Sequence, residues 1–278
     1  MSANIAGQDS GAKTVAIGGF GAIGQKLARA LDDGLPGLRL AAVSARNTER
    51  AAAVVAGFRS PVPVVPLAEL GRHADIVVEC APAEVFRELA VPALEAGRTL
   101  VVISVGALLT HTDVEDLARR HNGRIVVPSG ALLGLDAVRA AAEGEIRRVT
   151  MVTRKPPAGL KGAPYLVRNN IDVSALSEPL KVFDGTAREA VVGFPANVNV
   201  AAALSLAGIG PDRTTIEIWA VPGLDRNRHT ITVESDSADF TMSIANIPSD
   251  ENPKTGRITA LSILAALRRL TSPVQIGT

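Results

Sequence analysis

The chain has 278 residues with 29 basic and 28 acidic side chains, a formal charge of +1, and 47% hydrophobic residues. This length suits one large domain or two smaller ones with an ample core. The balanced, scattered charge excludes the basic face that nucleic acid or an anionic membrane requires, so a small molecule is the expected ligand.

The single cysteine, Cys80, cannot form an internal disulfide and suits a reducing compartment. Its plainest reading is a small buried hydrophobe. Residues 1–12 are small and polar and read as a flexible N-terminus, without the basic start and apolar run of a signal peptide. No segment reaches the roughly 18 apolar residues of a membrane span. A cytoplasmic location is the resulting expectation.

Residues 13–133 alternate short apolar runs with helical patterns, the order of a doubly wound Rossmann-type parallel sheet. Strands are expected at 14–17, 38–44, 75–80, 99–104 and 124–127, with a weaker one at 62–65. Helices are expected from Gly24 to Leu31, over 48–56, over 83–96 and over 113–121. From 134 to 250 the texture changes to segments that alternate apolar and polar residues: 147–153, 189–192, 214–220, 229–234 and 239–244. These predict a second, α+β domain on a mixed or antiparallel sheet with one covered face, interrupted by a helix over 196–206. It would supply a substrate wall and the dimer contact. Residues 251–278 are expected to form a helix that packs back on the first domain, with Thr255 as N-cap and Ile258, Leu261, Leu264 and Leu267 at helical spacing. The loop 155–164, rich in proline and glycine, is expected to border the site.

The first apolar strand runs directly into Gly19-Phe20-Gly21-Ala22-Ile23-Gly24 and then a helical pattern, which is the context a dinucleotide turn requires. Gly19 permits the tight turn, Gly21 lets backbone approach a pyrophosphate, and Gly24 allows close contact of helix and strand. The amides of Ala22 and Ile23 then face an anion at the helix start. An NAD-specific site carries an acid about 20 residues on, at the end of the second strand. Here that strand ends Ser44-Ala45-Arg46-Asn47, and Arg46 suits a 2′-phosphate, so NADP is expected beside NAD. Ligands lie outside the carboxyl ends of strands in such sheets, so Cys80-Ala81-Pro82, Ser104-Val105-Gly106 and Ser129-Gly130-Ala131 are further candidate cofactor contacts.

Of four histidines, His73, His111 and His121 have surface readings. His229 opens an alternating segment after Asp225-Arg226-Asn227-Arg228, and its imidazole suits proton exchange near neutral pH. It shares a strand face with Ile231 and Val233, so a packed core histidine is the competing reading. No metal site is expected, because there is one cysteine, no H-E-x-x-H and no histidine pair at helical spacing. A G-x-S-x-G nucleophile elbow is also missing.

Several blocks together resemble the L-aspartate dehydrogenase family: Ile17 to Gly24, Pro128-Ser129-Gly130-Ala131, Thr153-Arg154-Lys155-Pro156-Pro157, Phe194 to Ala202, Asp225 to His229 and Asn252-Pro253-Lys254-Thr255. The resemblance runs from Val15 to Leu270, with one small departure at Gly256, where serine is expected. It implies reversible NAD- or NADP-dependent oxidative deamination of L-aspartate to oxaloacetate and ammonia through iminosuccinate, which can feed pyridine nucleotide biosynthesis. It also implies a catalytic histidine at His229 and cofactor contacts at Ala131 and at an asparagine, either Asn197 or Asn199. A dicarboxylate needs polar and positive partners. Asn199, Asn227, Lys155 and Lys254 are the candidates for substrate, with Lys161, Arg168 and Arg226 as further cations. Two other readings stay open: a reductase of the dihydrodipicolinate reductase or homoserine dehydrogenase type, and a nucleotide-binding sensor without turnover. A homodimer is the expected assembly.

Overall fold

A computed structural model describes residues 11–195, 199–250 and 255–277. It divides into two compact units. The first comprises the chain up to Ser104, His111–Pro128 and Ile263–Gln275; the second comprises Val105–Thr110, Ser129–Ser262 and the residues from Ile276 on. The expected N-terminal segment lies outside the described residues apart from its last two. No described helix is long and apolar enough to cross a membrane.

In the first unit, β1 (Lys13–Gly18), β2 (Leu38–Ser44), β3 (Ile76–Glu79), β4 (Thr99–Val102) and β5 (Arg124–Val126) form one sheet. The strand order is β2-β1-β3-β4-β5, and every neighbouring pair is parallel. Parallel strands are covered on both faces, which is why β1 and β3 read as continuous apolar runs rather than as alternation. Val15, Ile17, Ile76, Val78 and Val101 join Leu27 and Leu31 of the helix Ala22–Gly34 in the core. The chain runs outward from β1 to β2 and returns to β3 on the other side of β1. That reversal opens a crevice at the carboxyl ends of β1 and β3, the place where open sheets of this kind bind ligands.

The weak strand expected at 62–65 shrinks to a single bridge between Val43 and Val64. Pro61, Pro63 and Pro66 flank it, and a proline has no N–H to continue a ladder. The helix expected over 83–96 starts as a 3-10 turn, Ala83–Val85, and becomes α-helical only at Phe86–Glu95. The C-terminal helix, Arg257–Arg269, buries a different stripe from the one expected. Ile263 and Leu267 enter the core of the first unit, whereas Ile258 and Leu261 are exposed.

In the second unit, β6 (Ile146–Lys155), β7 (Leu180–Thr186), β8 (Thr214–Ala220), β9 (Arg228–Ser235) and β10 (Asp239–Ala245) form the order β10-β9-β6-β8-β7. β6 and β8 are parallel and the other pairs antiparallel, so the sheet is mixed. Residues 189–192, expected as a strand, belong to the helix Ala187–Gly193. The reason is local: Thr186 and Glu189 form a reciprocal capping box, and Ala187, Ala190 and Val191 present a buried face at helical spacing. The loop expected from 155 on begins one residue later, because Lys155 closes β6 with its side chain buried.

One face of this sheet is covered. It carries Val149 and Met151 of β6, Ile216 and Ile218 of β8, and Ile231 and Val233 of β9. The alternation continues into polar residues at one end, where Thr153, Lys155 and His229 are buried on the same face.

Candidate functional site

The glycine turn of the first unit divides its labour among three glycines. Gly19 has φ +100°, and a Cβ there would lie 2.4 Å from the Cys80 carbonyl oxygen, so only glycine suits this turn. A Cβ on Gly24 would lie 2.0 Å from the Gly19 carbonyl oxygen. Gly21 differs, because no atom of the described residues lies within 4 Å of a Cβ built on it. Its surroundings are open where the helix Ala22–Gly34 begins. That helix has no side-chain cap and no acid in its first turn, leaving its leading amides for an anion. Open space at Gly21 and uncapped amides fit a dinucleotide pyrophosphate.

Backbone bonds tie the rim of the crevice together. Gly19 N donates to Ser44 O at 3.0 Å, and Cys80 N donates to Gly18 O at 2.7 Å. Cys80 is half-buried and free of disulfide; burial, and after it the Glu79 charge, push its thiol well above the usual range. Glu79, which ends β3, escaped the sequence reading. It is wholly buried, and its Oε2 accepts from Ile103 N and Ser104 N at 3.0 and 2.8 Å, while Ser104 Oγ donates to Oε1. Burial raises its pKa and the hydrogen bonds oppose that rise. Its carboxylate therefore shapes the turn after β4. Arg46 is exposed just beyond β2, and Asn47 caps the next helix by accepting from Arg50 N.

In the second unit, β6 and β9 pair so that Thr153 lies directly opposite His229. Thr153 Oγ1 and His229 Nδ1 are 3.0 Å apart, and both residues are 2% exposed. Lys155, two residues along the same face, is 5% exposed. Burial brings its pKa down to about 8. Burial, and after it the Lys155 charge, bring His229 down to about 3, so its ring is neutral at neutral pH.

Two further clusters of the second unit join candidates far apart in sequence. Gly106 N donates to Asn199 Oδ1 at 3.2 Å. Asn246, another residue missed in the sequence, donates from Nδ2 to Ala131 O at 3.0 Å and from its backbone to Asn227 O at 2.8 Å. Asn246 is buried, and its Oδ1 has no partner among the described residues. Ser262 Oγ accepts from Gly130 N.

The proposed cations fare differently. Lys161 and Arg168 are exposed, Arg226 is ion-paired with Asp225, and Lys155 alone among the described candidates is buried. Asn197 and Lys254 lie outside the described residues. Among the described residues no cluster of His, Cys, Asp or Glu could hold a metal ion. Glu79 had a faint sequence signal, an acid closing an otherwise apolar buried strand; Asn246 had none, since its role depends on a residue 115 positions away.

A family model described as aspartate dehydrogenase, C-terminal, matches residues 136–270. One described as homoserine dehydrogenase, NAD binding domain, matches residues 19–128. L-aspartate dehydrogenase of Bradyrhizobium diazoefficiens is 59% identical over 264 residues, which is 95% of this chain and 94% of that one. L-aspartate dehydrogenase 3 of Bordetella bronchiseptica is 57% identical over 265 residues, or 95% and 97% of the two chains. Among solved structures, aspartate dehydrogenase from Thermotoga maritima matches with a TM-score of 0.70 at 25% identity, covering 95% of this chain and 99% of that one.

Proposed function

Since this chain belongs to the L-aspartate dehydrogenase family, we propose that it catalyses the reversible NAD(P)-dependent oxidative deamination of L-aspartate to oxaloacetate and ammonia through iminosuccinate. The observation that carries this reading is the buried pair His229 and Lys155, two titratable side chains at the polar end of a largely apolar sheet face. A nicotinamide cofactor, when bound, would supply the hydride acceptor.

The chain's own residues do the rest. The amides at Gly21, Ala22 and Ile23 hold the pyrophosphate; Cys80, Ala81, Pro82, Ser104, Val105, Gly106 and Ala131, beyond the strand ends, and Asn199, at the start of a helix, serve as further cofactor contacts. Arg46 accepts a 2′-phosphate, so NADP is used as well as NAD. Lys155 binds a substrate carboxylate, with Asn199 and Asn227 as polar partners. His229 moves the proton when water adds to iminosuccinate or leaves on the return path, a contribution typically of about 10²- to 10⁴-fold. Burial is the main cause of the weak basicity of His229 and the Lys155 charge the lesser one; a carboxylate beside Lys155 offsets that lesser part, so substrate binding raises the ring's proton affinity.

The homoserine dehydrogenase match is confined to the nucleotide half, so it speaks for the cofactor and not for the substrate. The decisive assay is NADPH oxidation by oxaloacetate with and without ammonia. Strict dependence on ammonia is expected; oxidation without ammonia would indicate a different reductase, and binding without turnover a sensor. We further propose that the enzyme is cytoplasmic, in line with its single cysteine, and that its product iminosuccinate feeds pyridine nucleotide biosynthesis. We also propose a homodimer, because the second face of the mixed sheet, with Thr241 and Ser243 exposed, is open within its own unit.

A further inference from the structure

The contact between β6 and β9 contains a device that the proposed reaction does not itself require. Thr153 Oγ1 lies 3.0 Å from His229 Nδ1, the two residues are paired across neighbouring strands, and both are buried. The ladder fixes both backbones, so the imidazole plane is set by a partner that cannot drift. Among the described residues the Thr153 hydroxyl has no other hydrogen-bond partner. A buried hydroxyl that only accepted would leave its own proton unsatisfied. Donation to Nδ1 satisfies it, and a neutral ring that accepts at Nδ1 carries its proton on Nε2.

We propose that Thr153 is the positioning residue of His229: its hydroxyl holds the ring and donates to Nδ1 in the resting enzyme, leaving the imidazole proton on Nε2. A carboxylate in this place could only accept and would favour the opposite tautomer. A hydroxyl can rotate, so it also accepts from Nδ1 once that nitrogen is protonated. Thr153 thus keeps the ring oriented through a change in its protonation state. The buried Lys155, the charged group acting on this ring, adds a reason for the resting ring to be neutral.

The inference rests on the reading of His229 as the proton-transfer group, and its test separates the two. Long-range ¹H–¹⁵N spectra of histidine-labelled protein without substrate, with His229→Gln assigning the resonances, should show His229 neutral and protonated at Nε2; a ring protonated at Nδ1 would overturn the proposal. Thr153→Val should lower kcat about tenfold to a hundredfold with the KM for NADPH unchanged, and lose the single tautomer. Thr153→Ser should restore both. A Val variant with wild-type kcat and tautomer, or a folded Ser variant that restores neither, would also overturn it. If Thr153→Val does not fold, the wild-type spectrum and the Ser variant still decide. Should His229→Ala keep its turnover while the wild-type ring is Nε2-protonated, the catalytic reading fails and the assignment of Thr153 stands.

Discussion

At His229 burial and a neighbouring charge act in the same direction. Both favour the neutral ring, and together they bring its pKa to about 3 from an ordinary value of 6.5. His229→Ala should reduce kcat about 10²- to 10⁴-fold and leave the Kd for NADPH nearly unchanged, as measured by steady-state kinetics and calorimetry. Lys155 is the complementary case. Its pKa of about 8 means that the charge offered to a substrate carboxylate is present below that pH and lost above it. The kcat/KM for oxaloacetate should therefore fall as pH rises through about 8. Lys155→Met should show a lower kcat/KM without that step. The histidine was singled out in the sequence because the residue type and its polar preamble suggested proton chemistry. Its threonine partner was not, because Thr153 and His229 lie 76 residues apart and meet only through strand register.

The glycine turn shows how one element serves two ends. Gly24 is needed for the packing of helix on strand, since a Cβ there would meet the Gly19 carbonyl at 2.0 Å. Gly21 has open space instead, reserved on our reading for the cofactor. Gly24→Ala should accordingly lower the melting temperature, whereas Gly21→Val should leave it near the wild-type value and raise the KM for NADPH at least tenfold, an effect of about 1.4 kcal/mol or more. The turn after β4 depends on Glu79 in a similar way. Glu79→Ala strands the buried amides of Ile103 and Ser104 and should cost about 2–4 kcal/mol in urea denaturation. Glu79→Gln retains an acceptor oxygen for those amides and should cost much less. At this scale the parallel sheet was legible from its apolar runs. The segment 189–192 was misread because four residues are too few to tell alternation from helical spacing; the capping box at Thr186 and Glu189 was the signal that distinguishes them.

For the molecule as a whole, each unit is ordered by its own sheet, and the glycine turn belongs to the first. A ligand that binds only the folded state stabilises it by mass action, by about 2.7 kcal/mol at a concentration 100 times its Kd. Saturating NADPH should therefore raise the melting temperature of the wild type, and Gly21→Val should blunt that rise at the same concentration.

The sequence by itself determined the doubly wound sheet, the glycine turn at its first strand and the family, because each rests on short-range pattern: apolar periodicity, glycine spacing and contiguous blocks such as Asp225 to His229. Tertiary structure alone decided which cation among the described candidates is buried, what faces His229, and which residues support Gly106 and Ala131. Those facts depend on strand register and on burial. Register pairs residues that are remote along the chain, and burial decides whether a charged side chain is a solvated ornament or a perturbed group fit for chemistry.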